Sequence, residues 1–203
     1  MPTGAELLVE GLRKAGVEVV FGLPGVHNLP AWRALAASDI RLVTVRHEQT
    51  AVYAADGYSR ATGRAGVALT TTGPGAANSL GALGEAWASR SPVVLIATDV
   101  ATSLSKPGHW RGALHEMEDQ AELFRPLVKE ALRGATAEGL DTLISYAVAT
   151  AGLAPSRPVY IEIPSDRLSS EGAESEGGGA RFLRMAPAAA QMDAAARRLV
   201  EAE

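Results

Sequence analysis

Val45-Arg46-His47-Glu48-Gln49 is the stretch from which the fold can be read. The run from Arg41 to Val45 is apolar enough for a strand, it stops at a polar cluster, and a helix rich in small residues begins at Glu48. The same change recurs 25 residues after Glu48, where Val67-Ala68-Leu69-Thr70 gives way to Gly73-Pro74-Gly75-Ala76-Ala77-Asn78. A side chain at such a junction lies at the carboxyl edge of a sheet, which is where open α/β folds bind ligands. Glu48 is then a carboxylate at a helix start. Residues 73–78 become a loop whose backbone can approach a flat ligand closely.

Outward from these segments, strands and helices alternate. Thr3-Gly4-Ala5-Glu6 reads as a capping box, opening a helix to about Lys14 that Gly16 ends. Val17 to Phe21 is a short strand leading into Gly22-Leu23-Pro24-Gly25, and Leu29 to Ala37 is the next helix. The helix from Glu48 closes at Gly63, with Ala51, Ala54, Ala55, Tyr58 and Ala61 on one face and Gly57 read as a packing glycine. Leu80, Leu83 and Trp87 mark a helix to about Arg90, and Pro92 to Ala97 is a strand.

Residues Thr98 to Glu118 form a connection too long to be ordinary, and long loops are often functional. A short helix around Asp119 to Phe124 and a strand around Leu127 to Ala131 are expected after it. Thr136 is expected to cap a helix bearing Leu140, Leu143, Ile144, Ala147 and Ala151, before a last strand from Pro158 to Ile163. Near-continuous apolar strands alternating with helices imply a doubly wound α/β fold, a mainly parallel sheet with helices on both faces. That domain is expected to span 1–168. A Ser, Glu and Gly-rich linker takes 169–187, and an Ala-rich amphipathic helical pattern follows at 188–203, which needs something to pack on.

Composition narrows the function classes. Of 203 residues 47% are hydrophobic and 21% charged, which suits one well-packed core. A net charge of -4 leaves no basic footprint for nucleic acid. The absence of cysteine removes disulfides and thiolate metal sites, and no apolar run reaches the roughly 20 residues of a membrane span. These features point to a cytoplasmic protein with no membrane or nucleic-acid partner. No metal-ligand spacing and no nucleophile elbow is present.

Arg46-His47-Glu48-Gln49, Ala54-Ala55-Asp56-Gly57-Tyr58-Ser59-Arg60, Thr62-Gly63 and the Gly73-Pro74-Gly75-Ala76-x-Asn78 loop together resemble the amino-terminal, pyrimidine-binding domain of thiamine diphosphate enzymes, most closely the acetolactate synthase-like and 2-keto acid decarboxylase group. Val20-Phe21-Gly22-Leu23-Pro24-Gly25, Ser91-Pro92-Val93-Val94 and Arg157-Pro158-Val159-Tyr160-Ile161-Glu162-Ile163-Pro164 extend the likeness over about residues 3 to 168. The resemblance implies that Glu48 hydrogen-bonds N1′ of the cofactor's aminopyrimidine and promotes the imino tautomer that deprotonates the thiazolium carbon. It implies that Pro24 and Gly25 border one side of the ring, and Gly73, Pro74, Gly75 and Asn78 the other. His47 is expected to support the site and Gln49 to contact substrate or a neighbouring domain.

The same family carries a substrate-facing Gln or His where this chain has Leu114-His115-Glu116. His115 is therefore a candidate substrate contact and proton shuttle, and its departure from Phe-Gln-Glu leaves decarboxylases and carboligases of other 2-keto acids open beside acetolactate formation. His109 and Trp110 share that loop. The resemblance also implies a homodimer or tetramer, a middle domain of which 188–203 is the first helix, and a carboxyl-terminal domain holding the diphosphate through magnesium. No Gly-Asp-Gly followed by Asn occurs here, so the chain is expected to be a fragment that is inactive alone. Two other readings stand beside this one: a complete subunit of a heteromeric thiamine enzyme, and a non-catalytic assembly domain. For single residues the plainer alternatives are a helix cap or salt bridge at Glu48, an exposed loop histidine at His115 and a solvated helix residue at Gln49.

Overall fold

The computed structural model describes residues 1–104, 112–175 and 187–202. His109, Trp110 and residues 176–186 of the expected linker lie outside the described residues. Six strands form one parallel sheet: β1 (Val19–Gly22), β2 (Arg41–Thr44), β3 (Gly66–Thr70), β4 (Val93–Asp99), β5 (Ala131–Arg133) and β6 (Val159–Pro164). Their order is β2-β1-β3-β4-β6-β5. Every residue of β3, β4 and β6 is buried, as strands covered on both faces must be, whereas the edge strands β2 and β5 are partly exposed.

Two separate apolar cores lie on the two faces. On one, α1 (Gly4–Lys14), α2 (Leu29–Ala36) and α6 (Leu140–Gly152) bury Leu8, Leu12, Leu35 and Ile144 against Val20, Val67 and Ile161. On the other, α3 (Glu48–Thr62) and α5 (Leu80–Ala88) bury Ala51, Ala55 and Leu83 against Ala68, Leu95 and Tyr160. The doubly wound arrangement expected from the apolar strands is therefore present. Chain order reverses between β1 and β3, because β2 is laid on one side of β1 and all later strands on the other.

Helix ends follow the sequence. Thr3 and Glu6 form the capping box, the Thr3 N–H donating to Glu6 Oε2 at 2.7 Å, and Gly63 ends α3 in the left-handed region at φ 70. Three local expectations are corrected. Helix α6 starts at Leu140 behind Gly139, and the Thr136 hydroxyl donates to Glu138 O instead of capping it. Pro126 holds Arg125–Leu127 in a 3-10 turn, which displaces the expected strand to Ala131–Arg133, and the short helix before it is a 3-10 turn at Ala121–Leu123.

The buried face of α3 also differs, consisting of Glu48, Ala51, Val52, Ala55, Asp56 and Ser59. Ala61 is exposed, and a Cβ on Gly57 would meet nothing within 4 Å, so Gly57 is not a packing glycine within this chain.

The body continues past Leu168, which lies inside α7 (Ser165–Ser169). Gly172 N–H donates to Pro2 O, and Ser175 Oγ donates to Asp141 Oδ1 at 2.9 Å. Helix α8 (Ala189–Val200) is exposed throughout. Asp141, fully buried, is neutralised by Lys14 Nζ at 2.7 Å from Oδ2. Burial pushes its carboxyl up, and the hydrogen bonds from Lys14 and Ser175 outweigh that and hold it below its ordinary 3.8. The stabilisation is thus present above that pH and is lost as pH falls through the lower folded value. Lys14→Met, which strands the buried carboxylate, should cost about 3 kcal/mol at neutral pH and much less in acid. Urea unfolding at both pH values checks this, and a pH-independent loss would contradict it.

Candidate functional site

Parallel strands bring all their carboxyl ends to one edge, and the reversal between β1 and β3 splays the two connections that leave there. The first carries Pro24 and Gly25, the second Gly73, Pro74 and Gly75. Asn28, fully buried, shapes the first: its Oδ1 accepts from Gly25 N–H at 2.8 Å and its Nδ2 donates to Leu23 O at 3.1 Å. Gly73 shapes the second, with φ 60 and ψ -114, a backbone state closed to other residues, followed by the short helix α4 (Pro74–Ala77).

Glu48 stands across from these loops at the first turn of α3 and is 8% exposed. The capping position belongs to His47, whose Nδ1 accepts the Gln49 N–H at 3.2 Å. The Glu48 carboxylate is consequently free to turn away from its own helix. Asn78 Nδ2 donates to its Oε2 at 3.0 Å, and Oε1 has no hydrogen-bond or ion-pair partner among the described residues. Among the described residues, neither the cap nor the salt bridge that would account for Glu48 more simply is found.

The glycines act first on the chain itself. A Cβ on Gly25 would lie 2.6 Å from Thr71 Cβ, and one on Gly75 would lie 3.2 Å from Glu48 Oε1, so Thr71 is seated between the two loops beside the carboxylate. Thr71 Oγ1 is buried and has no partner among the described residues. A Cβ on Gly73 would lie 2.5 Å from His115 O, which brings the segment after β4 onto the same edge. His115 itself has φ 65, and its Nδ1 is buried without a partner among the described residues. It is half-buried rather than a free loop histidine. Gln49 runs elsewhere, its Nε2 3.3 Å from where a Cβ of Gly81 would sit.

Five residues of this edge carried no signal of function in the sequence: His27, Asn28, Thr71, Thr72 and Gln120. His27 Nδ1 is 2.7 Å from Thr72 Oγ1, which donates to Thr98 Oγ1 at 2.9 Å. Burial, reinforced by nearby His115, holds the His27 pKa below the ordinary histidine value. Behind the loops, Asp99, Arg133 and Glu162 close the ends of β4, β5 and β6, with Arg133 Nη2 2.9 Å from Asp99 Oδ2 and Nη1 on Glu162. Burial, then Asp99, raises the Glu162 pKa.

The Gln120 amide joins three parts of this edge. Its Oε1 accepts from Gly73 N–H at 2.5 Å, and its Nε2 donates to Thr98 O at 3.0 Å and to Tyr160 Oη at 2.7 Å. Tyr160 is stacked on Phe124 at 4.1 Å, so the anchor is rigid.

Residues 2–123 match the family described as thiamine pyrophosphate enzyme, N-terminal TPP binding domain, and the chain belongs to that family. Among curated relatives, the probable 2-ketoarginine decarboxylase AruI of Pseudomonas aeruginosa is 40% identical over 202 residues, 98% of this chain and 36% of that protein. The probable acetolactate synthase large subunit of Methanocaldococcus jannaschii is 37% identical over 83% of this chain and 28% of its own length. The 2-hydroxyacyl-CoA lyase 2 of Danio rerio is 41% identical over 81% of this chain and 26% of its own.

A solved structure, the thiamine diphosphate-dependent 4-hydroxybenzoylformate decarboxylase of Rhodococcus jostii, superposes with a TM-score of 0.83 at 32% identity, covering 98% of this chain and 37% of that one. The chain thus spans about a third of the length of the relatives it matches.

Gln120→Leu removes the partner that the Gly73 N–H has among the described residues and the side-chain bond to Thr98 O, which should cost about 2 kcal/mol in urea unfolding. The Gly73 amide should also exchange with solvent faster than amides of β3. Unchanged exchange at Gly73 would show that Gln120 does not hold the loop.

Proposed function

We propose that this chain supplies the pyrimidine half of the site in a thiamine diphosphate enzyme that breaks or makes the carbon–carbon bond beside a 2-keto acid carbonyl. The observation that carries the reading is Glu48: a buried carboxylate with one oxygen held by Asn78 and the other open, against Thr71 and Gly75. The open Oε1 suits a ring N–H, and the unpartnered Thr71 hydroxyl and the loops at Pro24–Gly25 and Gly73–Gly75 provide the walls. Thiamine diphosphate, when bound, supplies a carbon nucleophile for the keto carbonyl and holds the electron pair of the cleaved bond.

Glu48 keeps the proton shared with N1′ in place, and the Asn78 bond stops the carboxylate from rotating back over α3. His115, whose backbone lies against Gly73, is assigned to the substrate's carboxylate or carbonyl as contact and proton shuttle. Gln49, on the Gly81 side, is assigned to a domain contact or an outer substrate contact.

Decarboxylation is favoured over acetolactate formation, because Leu114-His115 replaces Phe-Gln and two relatives matched over 98% of this chain are named decarboxylases. A keto acid with a cationic tail, as in the name of the Pseudomonas relative, is one member of that class. A further domain would hold the diphosphate through magnesium, in a cytoplasmic homodimer or tetramer. The length of the relatives supports reading this chain as one part of such an enzyme. The heteromeric-subunit reading differs only in placing that domain on another chain.

In the full-length enzyme, Glu48→Gln should lower thiamine-dependent turnover of 2-keto acids by at least about 100-fold while the melting temperature stays within a few degrees. Turnover close to the unsubstituted level would remove the assignment.

A further inference from the structure

The Gln120 amide is 3% exposed and lies five residues beyond His115 on the segment that follows β4. Its orientation is fixed by groups that can act in one way only. Gly73 N–H can only donate, so the atom facing it is the amide oxygen, and Thr98 O can only accept, so the atom facing it is the amide nitrogen. The second hydrogen of that nitrogen goes to Tyr160 Oη at 2.7 Å, which therefore accepts. Turning the amide over would set donor against donor at Gly73 and acceptor against acceptor at Thr98.

These bonds join three parts of the chain. Thr98 and Tyr160 belong to the buried strands β4 and β6. Gly73 opens the loop assigned to one side of the ring. The third part is the segment that carries Gln120 itself, and with it His115. Fully buried Phe124, stacked on Tyr160 at 4.1 Å, pins the far end of this segment. Near its start Ala113 and Glu116 close a turn on each other, with Glu116 N–H donating to Ala113 O at 3.0 Å and Ala113 N–H to Glu116 Oε2 at 3.1 Å. His115 sits inside that turn at φ 65.

The turn rests on the Gly73 loop, since a Cβ on Gly73 would meet His115 O at 2.5 Å and His115 Cβ at 2.8 Å. One segment therefore holds Gly73 twice, by backbone contact at His115 and by the hydrogen bond at Gln120. The His115 ring has no comparable tether at Nδ1, which is buried without a partner among the described residues. Where the ring stands follows from where the turn stands.

We propose that Gln120 is a positioning residue for the 2-keto acid: its amide locks the turn bearing His115 to the Gly73 loop, so that the substrate contact and the cofactor wall keep one spacing. This rests on the thiamine assignment above and on the assignment of His115 to the substrate. Buried behind the loop, Gln120 acts through His115 and transfers no proton. A displacement of about 1 Å in a positioned group can cost about 100-fold in rate, so a loosened grip is read in the turnover of an enzyme that is still folded.

A double-substitution cycle in the full-length enzyme tests this, with the 2-keto acid that the parent turns over fastest. Gln120→Leu should lower kcat/KM by about 10- to 100-fold, with half-saturation by thiamine diphosphate changed only a few-fold. In the His115→Ala background the same substitution should cost less than about 3-fold, because the group it positions is gone. Losses that multiply independently would overturn the proposal, as a Gln120 that only stabilises the fold has no reason to spare the His115→Ala enzyme. A fully active His115→Ala enzyme would overturn it together with the assignment of His115. Should Gln120→Leu fail to fold, Gln120→Asn enters the same cycle, its amide a methylene too short to reach Gly73 and Tyr160 at once.

Tyr160→Phe removes Oη and keeps the ring on Phe124, so it spares the Gly73 bond and should stay within about 3-fold of the parent. A loss as large as that of Gln120→Leu would show that the Gly73 bond does not set the rate. Glu48→Gln separates the two layers. Normal turnover in that variant removes the thiamine assignment itself, whereas an inactive Glu48→Gln beside a normal Gln120→Leu removes only the role of Gln120.

Discussion

Reversal of the winding between β1 and β3 is the constraint on which the site depends. Every strand of the sheet ends at the same edge, and only at a reversal do neighbouring connections part and leave a crevice. The Pro24–Gly25 turn and the Gly73 loop are those two connections, and α3 brings Glu48 to the same place from the end of β2. Because both faces of β3 and β4 are buried under helices, the crevice is fixed by the cores and not by the loops themselves.

Within the crevice, several polar groups are left with spare hydrogen-bonding capacity. Buried polar atoms are usually paired, since an unpaired one costs about 1–3 kcal/mol. Here Thr71 Oγ1 and His115 Nδ1 are both without partners among the described residues, and Glu48 Oε1 is open beside them. The surrounding anchors are, by contrast, well satisfied: Asn28 makes two bonds to the first loop, and Gln120 makes three that tie the second to β4 and β6. A rigid frame around unmet hydrogen-bonding capacity is what a site for a polar ring requires.

Much of this was legible in the residue order. The alternation of apolar runs with helix starts gave the parallel α/β architecture, and the strand-to-helix junctions singled out Glu48 and the loop from Gly73 to Asn78, while the family resemblance pointed to Gly25 and to the role of Asn78. His115 reached the same edge through the left-handed φ of Gly73 and its own. Gln120, Thr72 and His27 were not legible, because their significance lies in partners 22 to 47 residues away in sequence. Propensity also misplaced local features: Thr136 lost its cap role to Gly139, and Gly57, which looked like a packing glycine, faces open space. A helical pattern reports the period of a buried face but not which neighbouring residue it is centred on.

The proposed chemistry turns on a single contact, between the open oxygen of Glu48 and the N1′ nitrogen of an aminopyrimidine. The most direct test compares thiamine diphosphate with an analogue in which N1′ is replaced by C–H, each titrated into the full-length enzyme. Both should bind through the diphosphate, and only the natural cofactor should support turnover, with Glu48→Gln binding the two alike. Turnover with the C–H analogue at a rate near that of thiamine diphosphate would contradict the account.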